Sequence, residues 1–115
     1  MTDGWHDAGP VELVAEPGQY FTCVAGEIPV VVTRDRTGSL NAFVNVCRHR
    51  GHIVVDGAGK RETLQCPYHA WTYDLAGRLR AAPRSEREPE FDFSQLSLLP
   101  VQVELRDARV FVKLG

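Results

Sequence analysis

The chain has 115 residues and a formal net charge of −2, with apolar and charged fractions that are ordinary for a globular protein. This length suits one domain, residues 1–115, and the near-neutral charge argues against nucleic acid or an anionic membrane as a partner. No stretch approaches the ~20 apolar residues of a membrane helix, and residues 1–10 lack a signal-peptide pattern, so we expect a cytoplasmic domain.

Short β-branched and alternating runs follow one another along the chain and predict strands. The predicted strands are Gln19–Val24, Ile28–Thr33, Leu40–Val46, Val101–Leu105 and Val110–Leu114, with turns at 35–38 and near Arg106-Asp107. Residues 84–90 have the composition of a surface loop, and residues 91–99 have room for one helical turn at most. Because no long apolar stripe has a helical period, we predict an all-β fold, a small antiparallel sandwich or barrel.

Two segments combine cysteine with histidine and predict a metal centre. They read CRHRGH at 47–52 and CPYHAW at 66–71, and each has its Cys and His two or three residues apart. Both follow strand-like runs, so two loops at neighbouring strand ends are expected to face each other. The candidate ligands are Cys47, His49, Cys66 and His69. An odd cysteine count of three also fits metal ligation better than a disulfide framework.

Two thiolates and two imidazoles suit more than one kind of centre. They can hold a single tetrahedral Zn²⁺, or a diiron cluster in which two His replace two Cys on one iron. Zinc fingers usually pair Cys with Cys on one arm and His with His on the other. Here each arm carries one of each, which favours the iron cluster while leaving zinc open.

The longer run CPYHAWTYDLAGRL at 66–79, together with CRHRG at 47–51, resembles the cluster-binding signature of the Rieske domain. It is most similar to the Rieske domain of the alpha subunit of ring-hydroxylating, Rieske non-haem iron oxygenases, and the resemblance covers almost the whole chain. It implies a small Rieske-type β fold and a [2Fe–2S] cluster, with Cys47 and Cys66 on one iron and His49 and His69 on the other. The sequence departs from the family pattern mildly, at His52, Ala70 and Ile53-Val54.

The resemblance implies one-electron transfer and leaves two roles to compare. The first is the Rieske domain of an oxygenase alpha subunit, which receives electrons from a reductase or ferredoxin and passes them to a mononuclear non-haem iron domain. That iron needs two His and a carboxylate, and beyond the four cluster ligands only His6 and His52 remain. We therefore expect no catalytic iron in this chain. The second role is a stand-alone Rieske ferredoxin between a reductase and an oxygenase, and a zinc module is a distant third.

The resemblance also bears on the reduction potential. High-potential Rieske proteins carry an additional Cys in each loop, joined as a disulfide, and hydroxyl donors to the cluster sulfurs. The corresponding positions here are His52 and Tyr68, with Trp71 where a Ser donor is expected. The resemblance therefore implies a potential near the low end of the Rieske range.

Overall fold

A computed structural model describes residues 4–46, 53–65, 72–81 and 98–114, and short antiparallel strands make up most of these residues. Within these ranges the strands are β1 Trp5–Pro10, β2 Gln19–Ala25, β3 Ile28–Arg34, β4 Leu40–Val44, β5 Ala58–Lys60, β6 Thr63–Gln65, β7 Thr72–Asp74, β8 Leu79–Ala81, β9 Pro100–Arg106 and β10 Arg109–Lys113. A single 3-10 turn, Val11–Val14, follows β1. The described residues contain no α-helix, which confirms the all-β prediction.

The strands form two sheets. The larger sheet has seven strands in the order β1-β10-β9-β4-β3-β2-β5, and the smaller has three in the order β6-β7-β8. All of the pairings are antiparallel. No helix in the described ranges is long and apolar enough to cross a membrane.

The five strands predicted from the sequence are confirmed, with small shifts at their ends. β4 ends at Val44, and Val46 instead forms an isolated bridge with Ile53. The β9–β10 turn is made by Asp107 and Ala108, both with positive φ, as expected of a tight hairpin turn. The predicted loop at 84–90 lies outside the described residues, as does most of the predicted turn at 91–99.

β3 is buried on both faces and so separates two apolar cores. Val30 and Val32 point into one core, and Val31 points into the other. The core that contains Val30 and Val32, which we call the curled core, lies inside the seven-stranded sheet. Its members come from β2, β3, β4, β9 and β10 together with Val14. The inter-sheet core lies between the two sheets and draws on β2, β3, β4, β6, β7 and β8. A continuous run of valines suits a strand that is covered on both sides.

Candidate metal centre

The four candidate ligands, Cys47, His49, Cys66 and His69, all lie outside the described residues, as do His52, Tyr68 and Trp71. The structure describes the residues on either side of both segments. The framework from which 47–52 and 66–71 extend can therefore be examined in detail.

The two ends of the first segment are held together by a bridge and a side-chain amide. Val46 and Ile53 form an antiparallel bridge that brackets residues 47–52. One residue before Val46, the Asn45 side chain donates from Nδ2 to the Val55 carbonyl at 2.8 Å. The Asn45 Oδ1 accepts from the Val55 N–H at 3.1 Å. The segment therefore begins and ends at one fixed place in the fold.

The second segment is closed by the β6–β7 hairpin. Gln65 and Thr72, the residues next to 66–71, are register partners, and Leu64 pairs with Tyr73 behind them. The Gln65 Nε2 also donates to the Thr72 Oγ1 at 3.2 Å on the exposed side of the hairpin. Both ends of this segment are thus joined by strand pairing.

Both segments extend from the same core. Val54 and Val55, just after the first segment, belong to the inter-sheet core, and so do Leu64 and Tyr73 on the two sides of the second segment. Leu64 and Tyr73 are fully buried. The sequence analysis expected the two segments at neighbouring strand ends. They instead extend from the end of β4 and from the β6–β7 hairpin, which belong to different sheets that share this core.

The end of β7, the strand that follows the second segment, is attached to the large sheet through the backbone carbonyl of Leu75. The Leu75 oxygen accepts a 2.6 Å hydrogen bond from the buried Thr33 hydroxyl on β3. It accepts a second, longer one of 3.3 Å from the Asn41 Nδ2 on β4. The Asn45–Val55 pair attaches the first segment to the end of β4. Both segments are therefore anchored to the large sheet.

The turn after β7 repeats the turn between β3 and β4. Asp74 accepts from the backbone N–H of Ala76 and of Arg78, and Asp35 accepts from those of Thr37 and Ser39. Each turn has a positive-φ glycine three residues after its aspartate. Asp74 therefore closes the turn that follows β7 with its own carboxylate.

The chemistry of the donor set fits an iron–sulfur cluster, and the other candidates in the described ranges do not compete with it. Cys23 is a free, half-buried thiol that packs on the curled core, and burial raises its pKa. A raised pKa disfavours the thiolate that metals bind. His6 lies on β1, opposite Val112. The described residues hold no group of three or more His, Cys, Asp or Glu that could bind a metal.

The sequence analysis did not single out Asn45. It is 2% exposed, and its side chain makes both hydrogen bonds that close the first segment. Its signal was a polar residue within the largely apolar run LNAFVNV, two positions before Cys47. A buried amide in a strand must find partners, so such a residue predicts a hydrogen-bonded junction.

Comparison with known proteins places these features in a family. The family model for the Rieske [2Fe–2S] domain matches residues 4–103. The chain is 39% identical over 111 residues to chloroplastic choline monooxygenase of Spinacia oleracea, covering 96% of this chain and 25% of that protein. It is 40% identical over 112 residues to the glycine betaine monooxygenase oxygenase subunit of Pseudomonas aeruginosa, covering 96% and 26%.

Known structures agree in fold. The quaternary ammonium Rieske monooxygenase CntA superposes with a TM-score of 0.92 at 34% identity, covering 97% of this chain and 32% of that one. Naphthalene 1,2-dioxygenase superposes with a TM-score of 0.89 at 31% identity, covering 96% and 26%. The chain therefore spans about a quarter of the length of the curated relatives it matches.

Proposed function

The chain belongs to the Rieske [2Fe–2S] domain family, whose cofactor is a Rieske-type cluster, and we propose that it is the electron-transfer domain of an oxygenase alpha subunit. In this proposal Cys47 and Cys66 hold one iron, and His49 and His69 hold the other. The domain, residues 1–115, receives one electron from a reductase or ferredoxin and passes it to a mononuclear non-haem iron in a catalytic domain outside this chain.

The observation that carries the proposal is the shared origin of the two ligand-bearing segments. Residues 47–52 are closed at the base by an isolated antiparallel bridge and residues 66–71 by the β6–β7 pairing. Next to both bases lie members of the inter-sheet core, namely Val54 and Val55 for the first segment and Leu64 and Tyr73 for the second. Each segment supplies one thiolate and one imidazole, the mixed arms that a Rieske centre requires. When bound, the cluster accepts and releases a single electron. The protein's part is to hold its four ligands in place.

The oxygenase role is favoured over a stand-alone ferredoxin by the relatives. The choline monooxygenase and the glycine betaine monooxygenase subunit are both oxygenase proteins, and each is about four times as long as the matched region. Reading the gene on both sides of the region that encodes this chain distinguishes the two roles. A continuous frame with a domain bearing two His and a carboxylate supports the oxygenase, and stop codons at both boundaries support the carrier.

The relatives also suggest a substrate class for the parent oxygenase. By their names, the relatives at 39% and 40% identity act on choline and glycine betaine, and CntA acts on quaternary ammonium compounds. Naphthalene 1,2-dioxygenase is less similar, at 31%. We therefore extend the proposal to a quaternary ammonium substrate rather than an arene. Turnover of naphthalene but not of choline or glycine betaine by the parent oxygenase would contradict this extension.

The cluster assignment is tested by the chain itself. Protein expressed with iron is expected to be red-brown and to contain two irons and two acid-labile sulfides per chain. Cys47→Ser, Cys66→Ser, His49→Ala and His69→Ala should each abolish or severely reduce this content. The chain offers matched controls, since Cys23→Ser and His6→Ala change the same residue types away from the two segments and should keep full content. A colourless protein that holds one zinc would overturn the proposal.

A second test concerns what the isolated chain does. Reduced chemically and without any other protein, it should donate electrons to an acceptor and oxygenate no substrate. Hydroxylation of choline or of an arene by the chain alone would place the catalytic iron within these residues and contradict the proposed division of labour. The cytoplasmic location remains a prediction, which fractionation of the source cells would test.

A further inference from the structure

Asn45 is a buried polar residue that hydrogen-bonds to two other parts of the chain, at Pro29 and at Val55. It is 2% exposed and lies just beyond the end of β4. Its backbone N–H donates to the Pro29 carbonyl at 2.9 Å, which continues the β3–β4 pairing by one residue. Its side chain turns away from that pairing to reach Val55. Asn45 thus joins the large sheet to the chain that returns from residues 47–52.

The Asn45 side chain substitutes for a neighbouring strand. In a sheet, the N–H and C=O of a residue are taken by the backbone of the next strand. Both backbone groups of Val55 are instead taken by the Asn45 amide, at 3.1 and 2.8 Å. An amide is the side-chain group that offers a donor and an acceptor side by side, and these two bonds also fix which end is oxygen.

Burial makes this pair hard to replace. Val54 and Val55 are 3% and 7% exposed, so water has little access to the Val55 backbone groups. A buried donor or acceptor left without a partner destabilises the fold. The corresponding side-chain bond at the second segment, Gln65 to Thr72, is on an exposed surface. The two segments are therefore secured differently, and the first depends on one buried side chain.

We propose that Asn45 is a positioning residue for the cluster, because its amide fixes the two ends of residues 47–52 and thereby the placement of Cys47 and His49. The inference rests on the proposed ligand assignment and adds to it a residue that contributes no ligand atom. Groups that orient metal ligands influence both affinity and reduction potential. Loosening the base of the first segment should therefore alter the cluster and not only the stability of the fold.

The test compares two asparagines on one stretch of chain. Asn41 lies on β4 and Asn45 lies one residue beyond the end of β4, and each side chain makes two hydrogen bonds. The Asn41 amide bonds to Asp35 and Leu75, at the end of β4 away from residues 47–52. Asn45→Ala and Asn41→Ala both remove an amide, so a purely structural role predicts similar behaviour for the two variants.

The experiment uses iron-loaded chain and four measurements: iron and sulfide content, the electron paramagnetic resonance spectrum of the reduced state, the midpoint potential, and the rate of iron loss to a chelator. Asn45→Ala should lose iron about tenfold faster than the wild type, with a broadened spectrum and a shifted midpoint. Asn41→Ala should lose conformational stability. The Leu75 carbonyl keeps its shorter 2.6 Å bond from Thr33 in this variant, so the base of the second segment stays in place and the spectrum and midpoint should remain those of the wild type. Asn45→Asp keeps the size and the acceptor and removes the donor, so it serves if the alanine variant fails to fold.

The outcomes separate the two proposals. A wild-type chain that binds no cluster overturns the proposed function. A wild-type chain that binds a cluster, with an Asn45→Ala or Asn45→Asp variant of unchanged spectrum, midpoint and iron-loss rate, overturns the positioning role alone. Hydrogen exchange supplies a check that does not involve the cluster, since the Val55 amide should exchange faster in Asn45→Ala, which loses the acceptor of its N–H, and at the wild-type rate in Asn41→Ala.

Discussion

The Thr33 hydroxyl on β3 donates a 2.6 Å hydrogen bond to the Leu75 carbonyl, across 42 residues of sequence and between the two sheets. Thr33 is fully buried within an otherwise valine-rich strand. The bond fixes the position of the end of β7 relative to the large sheet. It thereby also fixes the base of the second ligand-bearing segment. Thr33 has a hydroxyl where the neighbouring valines of β3 have a methyl group. This hydroxyl supplies a hydrogen bond to the Leu75 carbonyl, which has little access to water.

We predict that Thr33→Val destabilises the protein by about 1–2 kcal/mol, because it keeps the side-chain shape and removes the donor to a buried carbonyl. The longer bond from Asn41 remains and limits the loss. Denaturant unfolding of both proteins at one pH measures the difference. Thr22→Val is the matched control, since its hydroxyl bonds the Gly57 carbonyl at an exposed site, and it should change the free energy of unfolding by less than about 0.5 kcal/mol. Equal effects of the two substitutions would contradict the assigned role of Thr33.

Much of the larger sheet was predictable because the sequences of its strands have the residue pattern of buried strands. β3 and the β9–β10 hairpin have β-branched residues in buried positions, with turn residues between them. β5, with the sequence AGK and all three residues exposed, has no such signal. It forms because it pairs with β2, where Gly59 lies opposite Tyr20. β1 likewise contains Asp, Gly and Pro, and its pairing with β10 determines that it is a strand.

The candidate site likewise has residues that the sequence could name and supporting residues that it could not. The four ligand residues stay a prediction, and the sequence could name them because Cys and His at these spacings have few other uses in one chain. Asn45 was not predictable, because its role depends on Val55, ten residues later, arriving beside it. The connection from Thr33 to Leu75 depends on an even longer separation. Side chains that hold a site in place are determined by tertiary contacts, and no local pattern specifies their partners.

The Asp35 turn should make stability fall in acid. Burial acts to raise the pKa of Asp35, but hydrogen bonds from the Thr37 and Asn41 side chains and from the Ser39 and Thr37 N–H groups outweigh it and lower the pKa. A carboxyl whose pKa is lower in the folded state stabilises the fold above its unfolded pKa, near 3.9. That contribution is lost as the pH falls through the folded pKa.

Asp35→Asn isolates this contribution because it has no charge to lose. The difference in unfolding free energy between the wild type and the variant should be constant from pH 7 to about 5 and should shrink below about pH 4. Circular dichroism followed in denaturant at each pH measures it. A difference that does not change down to pH 2 would show that the hydrogen bonds do not favour the charged form of Asp35.

The reduction potential should lie near the low end of the Rieske range, about −150 mV. Reduction adds a negative charge to the cluster, and hydrogen bonds to its sulfurs lower the cost of that charge. The sequence has His52 and Tyr68 where high-potential relatives have the disulfide cysteines, and Trp71 where a Ser donor is expected. A redox titration of the iron-loaded chain, followed by the spectrum of the reduced cluster, gives the value. A midpoint well above zero would contradict the argument from missing donors.

Gly77 and Gly38 offer a matched pair of turn positions with different surroundings. Both follow an aspartate by three residues, and their φ angles are +85° and +87°. A Cβ on Gly38 would meet nothing within 4 Å, whereas a Cβ on Gly77 would overlap the Phe43 ring, lying 2.7 Å from its Cζ. Phe43 is part of the inter-sheet core, and the Gly77 carbonyl accepts from the Leu98 N–H at 2.8 Å. The ring therefore has little room to retreat.

Gly38→Ala should cost about 1–2 kcal/mol, the price of a left-handed backbone for a residue with a Cβ. Gly77→Ala should cost about 1–3 kcal/mol more, because it adds overpacking against Phe43 to the same backbone strain. Denaturant unfolding of the two variants measures the difference directly, since the backbone contribution cancels between them. Adding Phe43→Leu to Gly77→Ala should recover part of the extra loss by making room for the methyl group, while the same change in the Gly38→Ala background should only destabilise. Equal losses for the two glycine variants would mean that the Phe43 ring moves aside freely, and that the turn after β7 is not held against the inter-sheet core.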